Sequence, residues 1–182
     1  MNVIEAIHQR RSIRSFRDEA VPDELVRGII EAGTWAPSAG NMQAWEFVIV
    51  RDEDAKGKLV STTDAGTTAR AGIETQVWIN DAPVVVVVCY DVKRMTARYG
   101  DKGRELLTKL DCMGCVQTML LAATHYGLGS CCVVGFDAEA LKRVLDIPKE
   151  LSPLLLVPLG YPDQQPDPPY RLPLDDVVRL VI

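Results

Sequence analysis

The chain has 182 residues, enough for one well-packed domain and too few for two of ordinary size. Hydrophobic residues make up 47% and charged residues 25%, a globular mixture that excludes a disordered or fibrous chain. A formal net charge of -5 argues against nucleic acid or an anionic membrane as partner, so an anionic ligand has to be held by a local basic cluster.

In chain order, residues 2–10 predict a helix with Val3, Ile4 and Ile7 on one stripe and Asn2 as its cap. A second helix begins near Pro22, with Asp23 and Glu24 at its positive end. Leu25, Val26, Ile29 and Ile30 form its apolar face, and Gly33 suits its exit. The turn-rich run Ala36-Pro37-Ser38-Ala39-Gly40-Asn41 cannot continue a helix. Residues 45–51 then read as a strand ending in the charged run Asp52-Glu53-Asp54, and residues 67–80 as a helix. Pro83 opens a run of five valines, apolar on both faces and therefore central in a sheet.

Residues 91–103 are polar and basic with no clear period, which suggests a mobile lid. Residues 104–126 predict the longest helix, apolar nearly all round and so buried on most faces. Gly127-Leu128-Gly129 ends it, and residues 130–134 read as a short strand. Asp137 caps a helix reaching about Leu145, and residues 154–159 form another apolar strand. Residues 162–173 carry five prolines and cannot fold compactly alone. Val177, Val178, Leu180 and Val181 beyond them read as a buried strand. The whole element, residues 162–182, suggests an arm that docks on a partner subunit, the rest of the chain being a single domain.

The N-terminus lacks the basic-then-apolar pattern of a secretory signal, and the longest apolar run, residues 82–90, is too short to cross a bilayer as a helix. Five scattered cysteines then read as reduced thiols, with a cytoplasmic location expected. Cys112-Met113-Gly114-Cys115 is a C-x-x-C, with Cys131-Cys132 further on. It fits a redox dithiol or a metal site, but small residues inside a buried helix also serve close helix packing, the favoured reading. His8 and His125 lie far apart on predicted helices, as core or surface residues rather than metal ligands.

Three segments offer chemistry. Arg10-Arg11-Ser12-Ile13-Arg14 places three guanidiniums and a hydroxyl at a helix exit, as fork-shaped donors to phosphate or as neutralisers of the helix dipole. In the loop of residues 36–45, small residues let a flat ring approach the backbone. Asn41 and Gln43 offer amides to a heterocycle edge, or the polar side chains satisfy their own loop. Gly127-Leu128-Gly129 with Val133-Val134-Gly135-Phe136 presents bare backbone, or simply stops a helix and turns.

Taken together and in this order, Arg-Arg-Ser-x-Arg-x-Phe, Ala-Pro-Ser-x-x-Asn-x-Gln-x-Trp and the late Gly-Leu-Gly strand resemble the FMN-dependent nitroreductase family. Ala82-Pro83 before the valine strand and Gly160-Tyr161-Pro162 near the end add to a likeness that covers nearly the whole chain. The resemblance implies an α+β fold, a mixed, largely antiparallel central sheet flanked by helices, in an intertwined homodimer. The long helix would form much of the interface, with two FMN molecules lying there, each touched by both subunits. It further implies an NAD(P)H oxidoreductase that passes electrons from NADH or NADPH to nitroaromatic, quinone or similar electron-poor small molecules by a ping-pong mechanism. No nucleic acid and no membrane take part.

By the same resemblance, Arg10 and Ser12 hold the FMN phosphate, Arg11 between them belongs to the cofactor-binding set, and Arg14 lies nearer the pyrimidine edge. Pro37, Ser38, Ala39, Asn41 and Gln43 come from the other subunit and line the ring and ribityl chain. Val134 and Gly135 match the segment whose backbone N–H faces flavin N5, and Arg171 closes over the phosphate. Flavin N5 carries the chemistry, so no catalytic side chain is expected. The chain departs from the pattern at Val134, where many relatives carry an acid, and at Pro173, where a second late basic residue is usual. Arg70 is the candidate for the central basic contact. Three alternatives stay open: a same-fold enzyme specialised for dehalogenation or flavin fragmentation, a weakly catalytic flavin-binding protein, and a thiol-redox protein using Cys112 and Cys115.

Overall fold

The computed structural model describes residues 1–64 and 75–180. Helices α1 (Val3–Gln9) and α2 (Asp23–Thr34) come first, followed by a 3-10 turn at Ala39–Asn41 and strand β1 (Trp45–Val50). Helix α3 (Glu53–Val60), a 3-10 turn at Val77–Asp81 and β2 (Val84–Asp91) lead into α4 (Val92–Lys102). A π-helical turn, Gly103–Leu107, joins α4 to α5 (Thr108–His125). After that come β3 (Gly129–Ser130), α6 (Ala138–Val144), β4 (Leu151–Gly160) and α7 (Leu174–Val177).

The sheet runs β1-β2-β4-β3 with every neighbour antiparallel, and Ser12 adds a parallel bridge to Ser130 at its edge. The valine strand is central, and its period of two divides the core. Val84, Val86 and Val88 with Leu155, Val157 and Leu159 face α2 and α5. Val85, Val87 and Cys89 with Leu156 face Leu59 of α3, Ile79 and Leu141 of α6.

Two helix starts are capped as the sequence suggests. Asn2 forms a reciprocal box with Glu5, and Asp137 accepts the Ala140 N–H at 2.9 Å. The long apolar helix is real, and Cys112, Cys115, Val116, Met119 and Ala123 are fully buried along it. An 18-residue stretch of the continuous helix Val92–His125 is apolar enough to cross a membrane by composition, but here it packs against α2 and the sheet. Gly33 sits within α2, and a Cβ there would lie 2.6 Å from Met119 Cγ and 3.0 Å from Cys115 Sγ, so this glycine sets how closely the helices approach.

Several elements differ from the sequence reading. The charged run after β1 is not a strand end but the start of α3, capped by Asp52, whose carboxylate accepts the Ala55 N–H at 2.9 Å. Charge hid this helix because Lys56 is itself buried, its Nζ donating to the Asn80 and Ala82 carbonyls at 3.0 Å and pairing with Glu53 at 2.8 Å. Of the helix expected over residues 67–80, residues 67–74 lie outside the described residues, and the rest is the 3-10 turn at Val77–Asp81.

The segment read as a lid is helix α4. Asp91 caps it by accepting from Lys93 and Arg94 N–H, and Met95 anchors it in the core, while Gly100 at φ 56° breaks the period that would have revealed it. Pairing at residues 130–134 shrinks to β3 and a bridge between Val133 and Leu156. Among the described residues the C-terminal apolar segment forms no strand: α7 is a single turn, with Val177, Val178 and Leu180 exposed, and Val181 lies outside the described residues.

Candidate functional site

Helix α1 ends where Arg10 turns to extended backbone, its N–H still bonded to the Ala6 carbonyl. Arg11 folds back, donating from Nη1 to the His8 and Arg10 carbonyls at 2.7 and 2.9 Å, so it serves as a C-terminal cap. Its Nε is buried without a partner. The chain then runs beside β3, with the Ile13 N–H donating to the Ser130 carbonyl at 2.9 Å. Strand-like alternation buries Ile13 and leaves Ser12 and Arg14 exposed, the Arg14 guanidinium 5.8 Å from the Trp78 ring centroid.

Arg10 and Arg11 meet Arg171, which returns on the proline arm. Together with His8 and Gln117 they line a cleft of about 620 Å³ that contains no carboxylate. Among the described residues none of Arg10, Arg11, Arg14 and Arg171 is ion-paired.

The late glycine segment lies against this basic strip. Cys131 follows Ser130, and its thiol is pushed up mainly by burial, while Arg14, Ser12, the Cys132 backbone and Arg10 pull it back down. The Ser12–Ser130 bridge and the Ile13 bond to the Ser130 carbonyl set Cys131 beside the strand that carries Arg14. Val133 exchanges two 2.9 Å backbone bonds with Leu156, Val134 is 70% exposed, and the Gly135 carbonyl accepts the Asp64 N–H at 2.9 Å. Gln76 Nε2 clamps the same point, reaching the Asp64 carbonyl at 2.6 Å and the Gly135 carbonyl at 3.4 Å. A Cβ on Gly135 would stand 2.5 Å from the Asp64 carbonyl oxygen, so only glycine fits this approach.

The loop after α2 is built from left-handed backbone, with Gly40 at φ 57°, Asn41 at 55° and Gln43 at 47°. Its side chains partly satisfy one another: Ser38 Oγ accepts the Gln43 N–H at 3.1 Å, and Gln43 Nε2 donates to Asn41 Oδ1 at 3.2 Å. Three contacts fasten it to α4 and α5. Asp111 Oδ2 accepts the Ala39 N–H at 3.0 Å, Arg94 donates to the Gln43 carbonyl at 2.6 Å, and Arg98 donates to the Gly40 carbonyl at 3.3 Å. Burial raises the Asp111 carboxyl above its usual range, and the Ala39 N–H draws it part of the way back. Pro37, Asn41 and Gln43 are exposed.

Thus the structure brings two of the three sequence segments together in one subunit and fastens the third to a different set of helices. Asp111, Arg94 and Arg98 do this fastening, Gln76 pins Gly135, and all four escaped the sequence reading. A carboxylate inside an otherwise apolar helix was the available signal for Asp111. Arg70 lies outside the described residues.

The cysteines behave as packing residues. Cys112 and Cys115 are fully buried and their thiols are pushed up to about 12, by burial first and, for Cys112, then by Cys115, Asp111 and Cys89. Such thiols carry too little thiolate at neutral pH for exchange chemistry. Among the described residues no group of three or more His, Cys, Asp or Glu is arranged to hold a metal, and His8 and His125 are exposed.

The Nitroreductase family matches residues 7–161 of the chain. A protein of Thermus thermophilus named NADH dehydrogenase is 32% identical, over 93% of this chain and 91% of its own. A Desulfovibrio desulfuricans structure in complex with FMN superposes with a TM-score of 0.84 at 32% identity, covering all of this chain and 98% of the other. The NADPH:FMN oxidoreductase of Vibrio harveyi complexed with NAD+ gives 0.83 at 30% identity, over 99% and 77%.

Proposed function

Because the chain belongs to the nitroreductase family, we infer that it is an FMN-dependent oxidoreductase carrying electrons from NADH or NADPH to nitroaromatic, quinone or similar electron-poor acceptors in a ping-pong cycle. The observation that carries this reading is the carboxylate-free cleft where Arg10, Arg11 and Arg171 converge, in a chain whose net charge is negative. That donor set suits a phosphate, since planar guanidiniums give paired, charge-assisted bonds to its oxygens. Bound FMN supplies the two-electron carrier between donor and acceptor.

The chain's own residues bind and orient. Arg10 and Arg171 hold the phosphate and the exposed Ser12 hydroxyl adds a bond, while Arg11 contributes charge from a guanidinium already used in part as a cap. Arg14, whose guanidinium lies over Trp78, would in this reading stabilise negative charge on the pyrimidine edge of the ring. Val134 and Gly135 offer bare backbone, kept in place by the Asp64 and Gln76 bonds to the Gly135 carbonyl. No side chain is assigned a proton transfer.

The remaining ring contacts, Pro37, Ser38, Ala39, Asn41 and Gln43, come in this reading from a second copy of the chain. Two features support a homodimer with the site at its interface. The loop is fastened to α4 and α5 rather than to the basic strip. Large apolar side chains also lie open on α1 (Val3, Ile4, Ile7), on the adjoining α5 (Leu110, Met113) and on the arm (Tyr170, Leu172, Leu174), more apolar surface than a lone subunit leaves to water. The arm, residues 162–182, then wraps the partner. Five free cysteines suit a reducing compartment, the cytoplasm. We expect a single dimeric species in sedimentation at micromolar concentration; a stable folded monomer with flavin bound overturns the shared site.

The direct test is the visible spectrum of the purified protein before and after anaerobic NADH or NADPH. The expected result is a flavin spectrum that bleaches. Flavin that stays oxidised with both donors rejects the donor assignment, and a colourless protein that takes up no added FMN rejects the cofactor.

A further inference from the structure

Arg94 and Arg98 lie one turn apart on α4, beside the same loop, yet their surroundings differ. Arg94 is neutralised, at 2.9 Å from Glu46 and 3.7 Å from Asp91, and its other bond holds the Gln43 carbonyl. Arg98 is exposed and, among the described residues, has no ion-pair partner. Its guanidinium lies 5.4 Å from the Tyr99 ring centroid and donates to the Gly40 carbonyl at 3.3 Å. The carboxylates nearby are already engaged: Asp101 and Glu105 with Arg104, Asp111 with the Ala39 N–H.

Gly40 is the floor of this arrangement. A Cβ there would stand 2.5 Å from the Tyr99 hydroxyl and 2.7 Å from Arg98 Nη1, so the missing side chain leaves a cation and a phenol against the tip of the loop. Its φ of 57° further disfavours any other residue.

We propose that Arg98 and Tyr99 set acceptor specificity, and that the preferred acceptors are aromatic molecules bearing a carboxylate or similar anionic substituent. This rests on the proposed function, in which the loop holding Gly40 lines the flavin ring. An acceptor stacked beside Gly40 brings its substituent to the free guanidinium. Its ring meets the Tyr99 phenol, which supplies an aromatic wall and a hydroxyl. Arg94, already paired, holds the loop at Gln43, while Arg98, with one bond to the Gly40 carbonyl, keeps its remaining donors for the substituent.

The test uses the flavin-loaded enzyme with two acceptors of similar shape, 4-nitrobenzoate and the neutral 4-nitrobenzamide, and reads kcat/KM for each. Intrinsic reactivity cancels when the ratio for Arg98→Gln is divided by the wild-type ratio. Expected is a roughly tenfold loss of relative kcat/KM for the benzoate, appearing mainly in KM; any loosening of the Gly40 loop affects both acceptors alike and cancels in the ratio. Arg98→Lys, which keeps the charge, should restore most of it. A ratio unchanged in Arg98→Gln overturns the proposal while leaving the oxidoreductase assignment standing. Wild-type enzyme that reduces neither acceptor overturns both.

Discussion

Replacing Arg10 with alanine is expected to weaken FMN binding by about 2 kcal/mol, some thirtyfold in Kd, because the variant loses a charge-assisted phosphate contact in a part-buried cleft. Arg10 is the natural choice among the basic residues there. Arg11 already spends its Nη1 on the carbonyls that end α1, and Arg171 is carried on an arm without packed structure. Arg10 combines partial burial with a guanidinium that has no ion pair among the described residues. Fluorescence titration of the apoprotein measures the change. Arg27→Ala on the exposed side of α2 is a control for the loss of one positive charge. Equal affinity for wild type and Arg10→Ala would move the phosphate to another site.

The second large effect concerns stability. Leu156→Ala should destabilise the protein by about 3 kcal/mol, since the side chain is fully buried and no neighbour can collapse into the space without disturbing a strand. Leu156 lies on β4 opposite Val87 and shares its core face with Leu59, Ile79 and Leu141. In a chain of this size the loss lowers the melting temperature by roughly 6–12 °C, compared at one protein concentration because the melting point of the proposed dimer depends on it. The same residue exchanges both backbone bonds with Val133, one residue before Val134. A cavity here therefore also loosens the Val133–Gly135 segment, the proposed backbone contact to the ring. Leu156→Met, close in volume, should cost less than half as much. If Leu156→Ala melts within a degree of wild type, the second core layer is not packed as described.

Part of the candidate site is prominent in the amino-acid sequence. Arg10, Ser12 and Arg14 stand out because three guanidiniums in five residues are a compositional fact, and Gly135 because glycine marks a close approach. What fastens the site was not legible. Gln76 reaches Gly135 across 59 positions and Asp111 reaches Ala39 across 72, and nothing local to either partner announces the other. Lys56 shows the limit from the opposite direction: a lysine in a charged run reads as solvated, and only the arrival of two carbonyls from the turn after Ile79 makes its burial tolerable. The α4 helix was missed for a local reason, since Gly100 interrupts its period and Met95 is its one buried anchor.

By itself, the sequence determined only those elements whose caps and periods are local, and a central strand buried on both faces. Caps at Asn2 and Asp137, the helix stop at Gly127, and a valine run that alternates between two faces follow from bonds and periods within a few residues. Its ordered landmarks also carried the family. Only the tertiary structure decided which of those pieces share a site. It folded Arg171 back beside Arg10, bridged Ser12 to Ser130 at the sheet edge, and tied the Gly40 loop to α4 and α5 instead. The physical reason is range: capping and periodicity act over one or two turns of chain, whereas a binding site depends on contacts whose partners become neighbours only when the whole core has packed.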